Sequence, residues 1–110
     1  MKEKKGKRIW RFMVWDALGE IADVLAEGAK KYSPENWKYV NREDYIDAMF
    51  RHLTKWASGE KIDPEFGKNH LAHAGCDLLF LLWFDLQEAK KSAKGGENAN
   101  DNDRVPEKNT

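Results

Sequence analysis

Two imidazoles and a carboxylate stand in the pattern H-x-x-H-x-x-x-D within the stretch from His70 to Leu86, HLAHAGCDLLFLLWFDL. At about 100° per residue, His70, His73 and Asp77 project within roughly 60° of one another on a helix. Side chains of these types move protons near neutral pH and bind divalent cations. Alone the spacing is weak evidence, since a histidine at a helix start more often caps it or bonds a neighbouring loop. The same stretch is the most apolar in the chain and lacks Pro and β-branched residues. Its length suits a helix rather than a strand. Leu71, Leu78, Leu79, Leu82 and Trp83 fill most of the remaining circumference. A helix apolar nearly all round is a buried one. Polar groups on it must then be met by partners, metal or water.

A second set of chemistry-bearing residues is acidic. Asp16, Glu20, Asp23 and Glu27 follow at i, i+4, i+7 and i+11, within roughly 60° of one another on a helix. Like charges so spaced repel. They form either a solvated acidic face or a divalent-cation site, where oxygen ligands suit hard ions such as Mg²⁺ or Mn²⁺. Lys30 and Lys31 follow at the expected helix end, where the macrodipole favours cations and where phosphate charge can be met. Further on, Asp47 and Arg51 are an i, i+4 pair with His52 beside them. The loop EKIDPEFGKN carries Glu60, Asp63 and Glu65 directly upstream of the two histidines. Tyr32 and Trp37 either cover the core or stack on a base.

These residues need helices to hold them. Trp15 to about Lys31 is the first, with Trp15, Leu18, Ile21, Ala22, Leu25 and Ala29 on one face. Ser33-Pro34 breaks it. Asn41 to Ala57 is the second, buried through Tyr45, Ile46, Met49, Phe50, Leu53 and Trp56, with Asn41 as N-cap and Ser58-Gly59 as stop. Asp63-Pro64 starts a turn, and Asn69 caps the third helix. The segment Ile9 to Val14 is either a short helix or an extended arm, its Trp10 and Phe12 packed on the bundle or on a second subunit. No strand pattern, internal repeat or Gly-rich phosphate loop is present. The fold class is therefore all-α, a small bundle of three to four main helices.

The chain has 110 residues, enough for one domain. Residues 1–8 are expected to form a basic flexible start and residues 91–110 a disordered polar tail. The domain between them, residues 9–90, has a small core. Five Trp and five Phe help to fill it, and a partner subunit would complete it. Lys and Arg total 19 and balance 19 Asp and Glu, so charge calls for no specific nucleic acid. A single cysteine, Cys76, excludes an internal disulfide and suits a reducing, cytoplasmic setting. No apolar segment follows the basic start as a signal peptide requires. The His70–Leu86 stretch is too short, and too interrupted by Asp77 and Asp85, to span a bilayer.

Three blocks, GAKKYSPENW, YIDAMFRHL and GEKIDPEFGKNHLAHAGCDLLFLL, together resemble the small phage and bacterial dATP/dGTP diphosphohydrolases. These are relatives of the MazG-like all-α nucleoside triphosphate pyrophosphatases, including the MazZ type. The resemblance covers roughly Trp15 to Phe84. It implies hydrolysis of a purine (d)NTP to the monophosphate and pyrophosphate with Mg²⁺ or Mn²⁺, by a homodimer or homotetramer. Glu20-x-x-Asp23 looks like the first acidic motif of that family, and Asp77 like the last residue of the second. The Glu expected three residues before Asp77 is Ala74 here, and Asp47 is the carboxylate that would replace it. On this resemblance Glu20, Asp23, Asp47 and Asp77 hold metal. Lys30, Lys31 and Arg51 meet phosphate charge, and His70, His73 or Glu65 orient the attacking water. Trp37 and Tyr32, with a second subunit, hold the base. Phosphohydrolases built on an adjacent His-Asp pair are disfavoured, because the chain has no such dipeptide. The non-enzymatic alternative is a helical nucleotide-binding or interaction protein of phage origin whose acidic stripe is simply solvated.

Overall fold

The computed structural model describes residues 6–95. Residues 1–5 and 96–110, which hold most of the expected basic start and polar tail, lie outside the described residues. The fold is all-α, as expected. Three helices follow in order: α1 (Trp15–Lys31), α2 (Arg42–Ala57) and α3 (His70–Gly95). Single 3-10 turns at Trp10–Phe12 and Asn36–Tyr39 precede α1 and α2. Among the described residues the sole β feature is an isolated antiparallel bridge between Ile62 and Asn69. The third helix runs on beyond Leu86 to Gly95. Its start is capped as the sequence suggests, Leu71 N–H donating to Asn69 Oδ1 at 2.8 Å.

Helix α3 is central, packing on α2 most extensively and on α1 next. The α1–α3 crossing is close at Gly75, where an added Cβ would lie 2.7 Å from Ile21 Cδ1 and 3.1 Å from its Cγ1. A Gly75→Val substitution is expected to cost about 1–3 kcal/mol by overpacking. Thermal unfolding checks this, and an unchanged Tm would mean that the two helices can separate here without loss. Trp37 ties the α1–α2 connection to α3. It stacks on Phe80 at 4.6 Å between ring centroids and meets Trp83 edge-on at 4.9 Å. Tyr45 Oη donates to the Trp37 carbonyl at 2.7 Å. Arg42 pairs with Glu88 and lies over the Phe84 ring, joining the start of α2 to the later turns of α3.

The interior is unusual for so small a bundle. Among the described residues the buried ones are Asp63, His70, Ala72, His73, Ala74, Cys76 and Asp77. Four of them are histidines or aspartates, so the centre of the molecule is as much a polar cluster as an apolar core. The leucines of α3 lie on the opposite side: Leu71, Leu78, Leu79, Leu82 and Leu86 are all exposed. The expectation of burial all round α3 is therefore not met within one chain. Two packing helices cover only one side of a third, and they cover the side bearing the histidines. Trp10, Phe12, Ile46 and Phe50 are likewise exposed.

The loop between α2 and α3 positions the remaining polar groups. Gly59, at φ +112°, reverses the chain after α2, and Gly67, at φ +77°, closes the inner turn. Asp63 N–H donates to the Lys68 carbonyl at 2.8 Å and Gly67 N–H to the Asp63 carbonyl at 2.7 Å. His70 N–H donates to the Lys61 carbonyl at 2.8 Å. Held this way, the loop turns the Asp63 side chain inward against α3.

Candidate functional site

His73 is the centre of the site. Its ring lies between the His52 ring of α2 (4.6 Å, interplanar angle 12°) and the Phe66 ring of the loop (5.2 Å, 8°). Its Nε2 is 3.5 Å from Asp63 Oδ2 and is buried with no hydrogen-bond partner. The other Asp63 oxygen accepts from Glu65 N–H at 2.9 Å, an Asx turn that fixes the carboxylate. One ligand atom each from His52, Asp63 and His73 lie within 4.8 Å of one another. Behind this group runs a line of hydrogen bonds. His52 Nδ1 faces His70 Nδ1 at 2.8 Å, and His70 Nε2 meets Glu60 Oε2 at 2.7 Å.

Asp77 stands one turn further along α3. Its Oδ2 is buried and lacks a partner. Burial pushes its pKa up to about 7, with the Arg51 guanidinium pulling the other way. Burial, then the neighbouring His73 and His70, hold His52 down at about 4. His73 is also lowered, chiefly by burial, against the pull of Asp63. Burial therefore works against a charged His73 in its approach to Asp63. Cys76 is buried, and its thiol is pushed up to about 12 by burial and then by Asp77, so it stays protonated and unreactive.

A cavity of ≈ 360 Å³ opens beside these groups, between α1, α2 and α3. Its wall is apolar along Val24, Leu25, Trp37, Val40 and Phe80, and polar where His52, Glu65, His73 and Asp77 face it. Lys31 and Tyr32 also line it, the Lys31 ammonium lying over the Phe66 ring at 5.4 Å. The volume is that of a small-molecule site.

Six residues singled out from the sequence thus meet at one cavity: Lys31, Tyr32, Trp37, Glu65, His73 and Asp77. The others are placed elsewhere. Glu20 and Asp23 are exposed on α1 and share the Lys68 ammonium, at 3.1 and 2.9 Å. Asp47 and Arg51 are exposed on α2. Lys30 is exposed and lies 3.8 Å from Glu27. His70 is 1% exposed and bonded at both ring nitrogens. Sequence reasoning passed over His52, Asp63 and Glu60 as site residues. The signal for the last two was the acidity of the loop directly ahead of the histidines.

Residues 1–94 match the family described as dATP/dGTP diphosphohydrolase, N-terminal. The chain belongs to this family. A dATP/dGTP diphosphohydrolase of Salmonella phage PMBT28 is 39% identical to it over 64 residues, which cover 58% of this chain and 22% of the relative. The match thus spans well under half of that relative's length. No solved structure matches the chain. The resemblance read from the GAKKYSPENW and HLAHAGCDLLFLL blocks is borne out at family level. Among the described residues no helix is long and apolar enough to cross a membrane.

Proposed function

We propose that the chain binds a purine deoxynucleoside triphosphate in the cavity between its three helices and hydrolyses it to the monophosphate and pyrophosphate. One observation carries this reading. The cavity joins an aromatic and aliphatic wall to two buried acceptor-bearing groups without partners, His73 Nε2 and Asp77 Oδ2. Native structures rarely leave such groups unmet, and a triphosphate with its counter-ion and water supplies what they lack.

Each residue has a role in this reading. Trp37 and Phe80 present the apolar wall on which a base lies, with Tyr32 at the rim. Lys31 offsets phosphate charge, with Lys30 and Arg51 further out. Asp77, ionising near pH 7, is suited to take a proton from an attacking water at neutral pH. Glu65 orients that water from the loop side. The oxygen adds to the α-phosphorus, the bond to the bridging oxygen breaks, and pyrophosphate leaves.

The divalent ion implied by the resemblance finds donors that fit it. Glu20 and Asp23 share the one Lys68 ammonium and stand apart from the cavity lining. His52, Asp63 and His73 are better placed to hold it, as the unpartnered Nε2 of His73 indicates. When bound, such an ion supplies charge for the phosphates and a more acidic water. The exposed leucines of α3 support a homodimer or homotetramer, in which that face would be covered.

A second reading, nucleotide binding without turnover, is favoured by Ala74, which stands where the family pattern has a Glu three residues before Asp77. Titration of the full chain with dGTP, dATP, dCTP and dTTP, followed by tryptophan fluorescence, tests binding common to both readings. Purine nucleotides are expected to quench Trp37 more strongly than pyrimidines, and Lys31→Ala to weaken binding about tenfold, as loss of a charged hydrogen bond does. A flat response to all four would contradict both readings.

A further inference from the structure

The relay behind the site has a consequence for what the site binds. From it we infer that His52, Asp63 and His73 form a divalent transition-metal site, its His52 ligand oriented by Glu60 through His70. This rests on the hydrolytic reading for its place in catalysis and adds to it the class of ion and the positioning of His52; ion binding without nucleotide tests it separately.

Three donor atoms lie within 4.8 Å of one another. His73 is 6% exposed and Asp63 9%, so both are held by packing rather than by solvent. His73 Nε2 is buried and unpartnered, which in a native interior calls for a missing partner. Two imidazoles and one carboxylate suit Zn²⁺, Co²⁺ or Mn²⁺ better than Mg²⁺, which prefers oxygen. The sequence alone suggests the acidic face of α1 instead, but Lys68 already occupies Glu20 and Asp23 there.

The relay decides which nitrogen His52 offers. His70 Nε2 lies 2.7 Å from Glu60 Oε2, and His70 Nδ1 lies 2.8 Å from His52 Nδ1. The assignment we infer puts the His70 proton on Nε2, facing the Glu60 carboxylate, which leaves the Nδ1 lone pair for His52. His52 therefore donates from Nδ1 and keeps a free lone pair on Nε2, the form a metal requires. A carboxylate fixing the tautomer of a ligating histidine is the usual outer-shell device. Here a second histidine is interposed. His70 accordingly needs no place among the ligands, although it lies on the same helical stripe as His73. It is a positioning residue, as is Glu60.

The test is calorimetric titration of the metal-stripped full chain with Zn²⁺ and, separately, with Mg²⁺. Stoichiometric Zn²⁺ binding is expected, at least about 100-fold tighter than Mg²⁺. Glu60→Gln, at a half-exposed side chain that touches no ligand atom of the site, is expected to weaken Zn²⁺ by about 10–100-fold. Asp63→Asn is expected to weaken it at least as much, with helical circular dichroism retained. Because Asp63→Asn could unfold the loop, the wild-type chain supplies an independent readout. On adding Zn²⁺, the imidazole NMR resonances of His52 and His73 should move to metal-bound positions, while His70 keeps its hydrogen-bonded proton. Zn²⁺ binding abolished by Glu20→Gln with Asp23→Asn but intact in Asp63→Asn would overturn the assignment. So would imidazole resonances indifferent to Zn²⁺, or Mg²⁺ binding as tight as Zn²⁺.

Discussion

His73→Asn is expected to lower turnover of a purine deoxynucleoside triphosphate by about 10²–10⁴-fold, the range over which a positioned acid–base or metal-holding group contributes. Asn is shorter, so it leaves the place of Nε2 empty beside Asp63. It also removes a ring stacked on both faces, by His52 and Phe66, so some stability is lost as well, about 1–3 kcal/mol from the void. Activity and folding must therefore be read together. A functional role requires kcat to collapse at a temperature where circular dichroism shows the variant folded. If activity and folded fraction fell in parallel, His73 would be a packing residue.

Asp77→Asn is expected to do the reverse to stability while also reducing turnover. The Asp77 carboxyl titrates near 7 in the folded chain against 3.8 unfolded, because burial disfavours its charge. Between those values the native state holds a proton that the unfolded state has released. The contribution of this group is then full below about pH 4 and is lost as pH rises through 7, amounting to about 4 kcal/mol. His52, held at about 4 against 6.5, acts with the opposite sign, its contribution disappearing as pH falls from 6.5 to 4. The two partly cancel in the wild-type profile. The difference between variant and wild type isolates Asp77. Asp77→Asn should leave Tm nearly unchanged at about pH 3.5 and raise it progressively up to about pH 7, above which the gain is constant. Its activity should no longer rise through pH 7. A variant less stable than wild type at pH 8 would mean that the ionised carboxylate is well satisfied in the fold. A buried charge that costs stability yet is retained is a mark of function rather than of packing.

Much of this was legible in the sequence, and the rest was hidden for physical reasons. Apolar periodicity and the Ser33-Pro34 and Ser58-Gly59 breaks place α1 and α2 to within a residue, because helix ends are set locally. The cap at Asn69 is local too. That the polar stripe of α3 would matter was readable from its chemistry. That this stripe would be the buried side, with the leucines turned outward, was not. The choice depends on which face α1 and α2 cover, and a helix apolar on most of its circumference leaves that undecided. His52 and Asp63 escaped notice because their meeting with His73 is a product of loop closure. Asp63 reads in sequence as the start of a turn, and only the paired backbone bonds to Lys68 and Gly67 aim its carboxylate inward. Lys68 likewise reads as a loop lysine, yet it reaches α1 and pairs with both Glu20 and Asp23.

The most direct measurement is the phosphorus-31 spectrum of products formed when the full chain is incubated with dGTP, and separately dATP, in the presence of Mg²⁺ or Mn²⁺. Monophosphate and pyrophosphate in equal amounts, absent with His73→Asn and Asp77→Asn, are the expected result. Release of orthophosphate in steps, or of intact triphosphate, would contradict it, as would turnover that survives both substitutions.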